Sequence, residues 1–293
     1  MLELTVSAII TSYNRSISFL GRAVDSVKKQ TYKNIEIIVV DDNPIDSIFS
    51  LDIKNYCKRN NIKYIKQFGN QGACVARNLG VANSSGEYIA FLDDDDIWLP
   101  SKIEEQVKYL SNGYDLVFCQ GITINVSSKQ NFENIYGNAI DFLKCPSFQD
   151  MLIKNKVGTT SQIIIKRACF FDINGFDEKF LSRQDYDLCL RVSKKYKLYG
   201  VEKILFKHYL HNENQISKSA SNSLQGYKLL YEKYKKYYKK NKLAFVNICC
   251  KISKSYKHTG NGVMWFLYII KAFLRYPSKG VYIIQKASDK KIV

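Results

Sequence analysis

No Cys-x-x-Cys pair occurs among the eight cysteines, at 57, 74, 119, 145, 169, 189, 249 and 250, and no histidine stands at zinc-finger spacing from them. Neither a metal knuckle nor a disulfide framework is indicated, and reduced thiols are the simpler reading. No apolar run reaches the ~20 residues of a membrane-spanning helix; Val263 to Leu274 is 12 residues long and contains Lys271. The opening Met1-Leu2-Glu3-Leu4-Thr5 lacks the basic region, apolar stretch and small-residue cleavage site of a secretion signal, so a cytoplasmic chain is expected. No internal repeat is visible. Acidic residues are scarce in the last third: residues 194–293 hold 4 Asp+Glu against 22 Lys+Arg, a net +18, whereas residues 1–193 hold 23 against 22, a net −1. A basic tail of this kind suits nucleic acid, anionic lipid or a solvated surface.

What is present is a chain of 293 residues, 46% hydrophobic, long enough to bury a full α/β core. Leu4 to Ile10 is β-rich and gives way to the polar Thr11-Ser12-Tyr13-Asn14-Arg15; Phe19 to Gln30 then places Leu20, Ala23, Val24 and Val27 at helical spacing. Ile35 to Val40 is a near-continuous apolar run, the mark of a parallel strand covered on both faces, and it stops at Asp41-Asp42-Asn43-Pro44. Helices are expected around Ile48 to Asn60 and Gly72 to Val81, with a short strand at Lys63-Tyr64-Ile65 between them. The strand Tyr88 to Leu92 runs into four consecutive aspartates, Asp93-Asp94-Asp95-Asp96. Alternation of this kind predicts an open, doubly wound sheet, whose ligands collect beyond the carboxyl ends of the strands. Further strands are expected at Asp115 to Val126 and Ser161 to Lys166 and a helix at Asp185 to Tyr196; residues 127–157 resist assignment. Helices are expected from Leu224 onward.

Four adjacent carboxylates repel one another unless something neutralises them, and a divalent cation is the obvious candidate. If strand geometry persists, Asp93 and Asp95 share a face while Asp94 looks elsewhere. Oxygen donors of this sort suit Mg²⁺ or Mn²⁺. One or two of these acids would also suffice to cap the helix after Pro100; four exceed that role. The Asp/Asn spacing, central Gly and closing Glu of a calcium loop are missing.

Four blocks in order, Val6 to Arg15, Glu36 to Asn43, Gly72 to Gly80 and Gly86 to Asp96, resemble glycosyltransferase family 2, of the bacterial surface-polysaccharide type. The resemblance covers residues 4–110, and more loosely 158–217. It implies an α/β GT-A fold with a Rossmann-like, mostly parallel open sheet flanked by helices, occupying residues 1–217, with 218–293 as a basic, aromatic-rich helical region. It implies a nucleotide-sugar donor, inversion at the anomeric carbon, and transfer of a hexosyl or N-acetylhexosaminyl group to a glycan or lipid-linked glycan acceptor. Position by position, Thr11 and Tyr13 would line the base pocket, Asp42 would accept the uracil N3–H, and Arg77 would lie near the nucleotide. Asp94 and Asp95 would close the D-x-D element beside the nucleotide diphosphate, Asp95 as the direct ligand of Mn²⁺ or Mg²⁺ and Asp93 in support. In Ser182-Arg183-Gln184-Asp185, Asp185 would be the general base, with Arg183 and Gln184 on the acceptor side; the family commonly has Glu where this chain has Gln184. His211 would reach the metal or diphosphate from a closing loop.

Two other functions fit part of the pattern. A sugar-nucleotide-forming nucleotidyltransferase also needs acidic metal ligands on an α/β fold, but would open with a Gly-rich phosphate loop, and Thr11 to Arg15 has no glycine. A nucleic-acid-binding protein is prompted by the basic, Tyr-rich tail, but the charge avoids the motif-bearing region, so no nucleic-acid partner is expected. The tail instead suggests a peripheral seat on anionic lipid at the inner face of the plasma membrane.

Overall fold

The structure, a computed structural model, describes residues 4–125, 133–136, 142–210 and 219–288. Its first half repeats strand and helix: β1 (Val6–Ser12), α1 (Ile17–Lys28), β2 (Ile35–Asp41), α2 (Ile48–Arg59), β3 (Lys63–Lys66), α3 (Ala73–Ala82) and β4 (Tyr88–Asp93). The strands pair in parallel in the order β3-β2-β1-β4. Thr11 stands beside both Val40 and Asp93, and Ser12 beside Asp41, so the carboxyl ends of β1, β2 and β4 form one rim. Side chains alternate across the sheet: Ile9, Ile38 and Phe91 enter the core that α3 covers, while Ile10, Val39 and Leu92 meet Leu20 and Val24 of α1. Burial on both faces is why these strands read as continuous apolar runs. Gly80 brings α3 close to the sheet, because a Cβ there would fall 2.5 Å from Ile9 Cγ2 and 3.0 Å from Val40 Cγ2.

The second half comprises β5 (Ile97–Trp98), α4 (Lys102–Ser111), β6 (Leu116–Asn125), β7 (Glu133–Tyr136), α5 (Phe148–Ile153), β8 (Ile164–Lys166), α6 (Arg167–Asp172), α7 (Gln184–Lys195) and β9 (Leu198–Leu210). The full sheet runs β3-β2-β1-β4-β8-β6-β9-β5, with β7 against β6. It is parallel through its first four strands and mixed beyond them, because β8 enters between β4 and β6 antiparallel to both. Residues 161–166 are not one strand, as their apolar content predicts. A 3-10 turn spans Thr160–Gln162, and only Ile164–Lys166 pairs. Gln162 accounts for the difference: its side chain accepts from Thr159 N and donates to Cys119 O, satisfying backbone groups that a ladder would otherwise claim.

The chain closes with α8 (Ala220–Lys233), α9 (Lys235–Lys240), α10 (Lys242–His258), α11 (Gly262–Arg275) and α12 (Gly280–Ser288). Val246, Cys249 and Ile252 of α10 share one core with Met151 of α5 and Leu188 of α7. Helix α10 therefore buries its apolar side on the strand–helix unit. The division expected at residue 217 falls in 211–218, outside the described residues. No helix among the described residues is long and apolar enough to cross a membrane.

Candidate active site

Strand β4 ends at Asp93 and the chain turns at once, with Asp96 N donating to Asp93 O at 3.0 Å. Strand alternation stops there, so the expected sharing of a face by Asp93 and Asp95 does not occur. Asp93 instead points to Arg77 Nη2 (2.6 Å) and Thr160 Oγ1 (3.2 Å). Asp94 accepts from Ser12 Oγ at 2.6 Å and lies 3.5 Å from Arg15 Nε, while Asp95 takes Arg15 Nη2 at 2.8 Å. Asp96 meets His208 Nδ1 at 2.9 Å. The pair that shares a partner is thus Asp94 and Asp95, across one guanidinium. Helix capping does not explain these acids: β5 intervenes, and the residue before α4 is Ser101.

The charge at this tip is under-neutralised. Burial, with Asp93 and Asp96 adding to it, pushes the Asp94 carboxyl up to about 7 against the pull of Ser12 and Arg15. Burial, Asp96 and Asp94 push Asp95 up to about 8 against Arg15. Burial disfavours the charged form of His208, but Asp96, then Asp95 and Asp93, outweigh it and hold the imidazole above its ordinary value. Oδ2 of Asp96 is buried with no hydrogen-bond partner among the described residues. Hard oxygen donors, unspent negative charge and an orphaned carboxylate oxygen fit a divalent cation. Among the described residues no three His, Cys, Asp or Glu side chains form a closed metal cage. Mg²⁺ and Mn²⁺ make up such a shortage with water and substrate phosphate.

On the same rim, buried Asp42 accepts from Gln71 N and Gly72 N, both at 3.0 Å, and from Gln67 Nε2 at 2.5 Å. Burial nevertheless holds its carboxyl above the usual range. Oδ1 takes two of these bonds, from Gln67 and Gln71, whereas Oδ2, bonded to Gly72 N, retains acceptor capacity for one more donor. Asp41 beneath it serves the structure: burial works against its charge, but Ser50, Asn43 and Tyr64 outweigh this and hold it low. Thr11 is half-buried at the rim, and Tyr13 is 43% exposed there.

Across the rim, Arg183 stands just before α7 in the left-handed region (φ 68°), and Asp185 lies in the first turn of the helix. Burial raises the Asp185 carboxyl above its ordinary value; Arg183, Tyr186 N and Arg77 oppose this, and Asp93 adds to it. Arg77 is buried, its guanidinium 5.5 Å from the Phe176 ring centroid and paired with Asp93. The structure therefore brings Asp93, Arg77 and Asp185 into one electrostatic group. Gln184 Oε1 is buried without a partner among the described residues. His211 lies outside the described residues. Ser12, Arg15 and His208 also join this candidate site through the aspartates they contact, although no motif assigns them a role. Arg15 had one signal, its place in the polar loop that ends β1; His208 had none.

A family model described as glycosyl transferase family 2 matches residues 7–165. An uncharacterized glycosyltransferase of Methanocaldococcus jannaschii is 29% identical over 245 residues, 83% of this chain and 82% of that one. An uncharacterized glycosyltransferase of Rickettsia felis is 32% identical over 205 residues, 69% of this chain; the match spans 32% of the relative's length. The amylovoran biosynthesis glycosyltransferase AmsB of Erwinia amylovora is 27% identical over 232 residues, 75% of this chain and 73% of that one. Among solved structures, S. aureus TarS 1–349 in complex with UDP-GlcNAc matches with a TM-score of 0.61 at 13% identity, over 94% of this chain and 92% of that one. GalNAc-T7 with UDP, GalNAc and Mn²⁺ matches with a TM-score of 0.61 at 19% identity, over 78% of this chain and 48% of that one. The two structures establish the GT-A-like fold. Because the family model spans more than half of the chain, the protein belongs to glycosyltransferase family 2 and is a glycosyltransferase.

Proposed function

We propose that this enzyme moves a hexosyl or N-acetylhexosaminyl group from a UDP-sugar to a hydroxyl of a glycan or lipid-linked glycan, with inversion, in the synthesis of a cell-surface polysaccharide such as capsule or lipopolysaccharide. One observation carries the reading: a carboxylate with spare acceptor capacity (Asp42), an under-neutralised acidic pair (Asp94, Asp95) and a raised carboxyl (Asp185) converge around the carboxyl ends of β1, β2 and β4. UDP-GlcNAc in the TarS structure, and UDP with Mn²⁺ in that of GalNAc-T7, support the donor and the metal. The name of AmsB supports the polysaccharide role.

In this reading Asp42 accepts the uracil N3–H, Tyr13 offers its exposed ring as a stacking face, and Thr11 borders the base. Mn²⁺ or Mg²⁺ held by Asp95, with Asp93 and Asp94 beside it, would stabilise negative charge on the departing diphosphate, an effect worth several kcal/mol. Arg15, which bridges Asp94 and Asp95, would meet diphosphate oxygens. Asp185 takes the proton of the acceptor hydroxyl as that oxygen bonds to the anomeric carbon and the bond from this carbon to the diphosphate oxygen breaks. Attack opposite the nucleotide inverts the stereochemistry. Gln184 leaves the base in place and cannot itself accept a proton at neutral pH.

Thermal melts with UDP, Mn²⁺ and both test the donor site. The pair together should raise the melting temperature more than either alone, since ligand at 100 times its Kd stabilises by about 2.7 kcal/mol. No shift with any uridine nucleotide would remove the donor assignment. Turnover should release UDP; release of pyrophosphate would make the enzyme a nucleotidyltransferase.

We place the enzyme peripherally on the cytoplasmic face of the membrane. Trp265, Tyr268, Ile269 and Ala272 of α11 pack on the core, yet Val263, Phe266, Leu267 and Leu274 of the same helix are exposed, as is Val281 of α12. Arg275 and Lys279 stand exposed beside them. An apolar stripe bordered by cations suits anionic lipid. Replacing Phe266 and Leu267 together by Ser should strip most of the protein from phosphatidylglycerol vesicles in a pelleting assay; undiminished pelleting would remove the membrane seat.

A further inference from the structure

Around Arg183 stands a group of cations that the transfer chemistry does not use. Arg183, two residues before the base, donates from Nη2 to Ser223 Oγ at 3.2 Å and lies 4.5 Å from the ring centroid of Tyr227, both on α8. Its Nε is buried with no partner among the described residues. Gly226 allows α8 this close approach, since a Cβ there would stand 2.5 Å from Ser182 O. Asn247 of α10 gathers two more elements: its Nδ2 donates to Ile153 O at 3.1 Å, and its Oδ1 accepts from Tyr282 Oη of α12 at 2.7 Å. Lys154 follows Ile153. Lys251 lies one turn beyond Asn247 on the same face of α10. Lys286 lies one turn beyond Tyr282, with Nζ 5.1 Å from its ring centroid.

These tethers draw Lys154, Lys251 and Lys286 together with Arg183. Lys251 keeps solvent access, but the protein crowded around its ammonium, then the charges of Arg183, Lys286 and Lys154, push it down to about 8. Arg183, Lys251 and Lys286 enter no ion pair among the described residues. Holding like charges together costs stability, and a neutral glycan would give nothing in return. An anion with several oxygens would, through charge-assisted hydrogen bonds. The acidic tip of β4 has the opposite sign, so the donor's own chemistry does not call for this basic cluster.

We propose that the cluster formed by Lys154, Arg183, Lys251 and Lys286 binds a phosphate or diphosphate carried by the acceptor, holding the acceptor where its hydroxyl meets Asp185. The proposal rests on Asp185 being the base. Two sources share this chemistry, the diphosphate of a lipid-linked acceptor and a phosphate within a glycan, and the two probes below separate them.

The full-length chain is titrated calorimetrically with farnesyl diphosphate and with glucose 1-phosphate, in EDTA, where the acidic donor site repels anions. At least one probe should bind, more weakly as salt rises, and the better binder names the source. The Lys251→Gln/Lys286→Gln double variant should lose about 10-fold or more in affinity, the worth of one or two charged hydrogen bonds. The ligand-free variant should melt no lower than the parent, since a repulsion is relieved, and should keep the UDP–Mn²⁺ shift. Binding by neither probe, equal affinity in parent and variant, or displacement of the probe by UDP would overturn the proposal. These outcomes are separate from failure of the base assignment, which is read from the activity of Asp185→Asn with the basic cluster intact.

Discussion

Asp185→Asn should lower sugar transfer by about 10²–10⁴-fold, the usual worth of a positioned base, while the melting-temperature rise from UDP and Mn²⁺ survives. The amide keeps the size and shape of the carboxyl at the start of α7 but cannot take a proton from a hydroxyl. Arg77 retains its 2.6 Å contact with Asp93, so no buried cation is stranded and the fold should hold. The pH profile gives a second readout. Burial raises the Asp185 carboxyl, so kcat at saturating donor and Mn²⁺, where the acidic tip is already ionised, should fall as pH drops through a value above that of an ordinary aspartate, and the residual activity of the variant should lack that limb. Turnover within a few-fold of the parent would remove Asp185 from the chemistry, whatever the state of the donor site.

Asp95→Ala should abolish transfer and also make UDP binding indifferent to Mn²⁺, the feature that distinguishes it from Asp185→Asn. The same substitution should change the pH dependence of stability. The carboxyls of Asp94 and Asp95 stand at about 7 and 8, against 3.8 for an ordinary aspartate. The native state therefore holds their protons more tightly than the unfolded chain does. The stability this confers is fully present at acid pH and is lost as pH climbs from about 4 through 8. Without ligands, the melting temperature of the parent should fall over that range more steeply than that of Asp95→Ala. With Mn²⁺ and UDP, which require the ionised pair, the ligand-induced rise should grow with pH in the parent alone. A variant still responding to Mn²⁺ would leave the acidic tip without its assigned role.

The strands that carry the rim were legible because both faces of the sheet are covered: Ile35 to Val40 and Tyr88 to Leu92 read as unbroken apolar runs that end in acids. Strand β9 was not, because its pairing with β6 shifts register at Cys119/Gln120 and again at Gln120/Gly121, and no simple alternation survives such shifts. The 3-10 turn at Thr160–Gln162 depends on a glutamine bonding to Cys119, 43 positions away, which no local pattern announces. The candidate site divides in the same way. Asp42, Asp94, Asp95 and Asp185 stand in recognisable blocks, whereas His208 acquires its part from Asp96, 112 residues distant. Arg15 acquires its part from acids that the fold brings beside it. Arg77, read as a neighbour of the nucleotide, is turned toward Asp93 by its place on α3, where Phe176 covers the guanidinium.

The thiols have a practical consequence. Seven of the eight are buried, and burial drives Cys74 up to about 12 and Cys119 up to about 11, far from the thiolate form that reacts. Cys145 alone is exposed, with Sγ 3.9 Å from Tyr114 Oη. A maleimide dye added to the native enzyme should therefore settle at one address, and further equivalents should be consumed only as the interior opens.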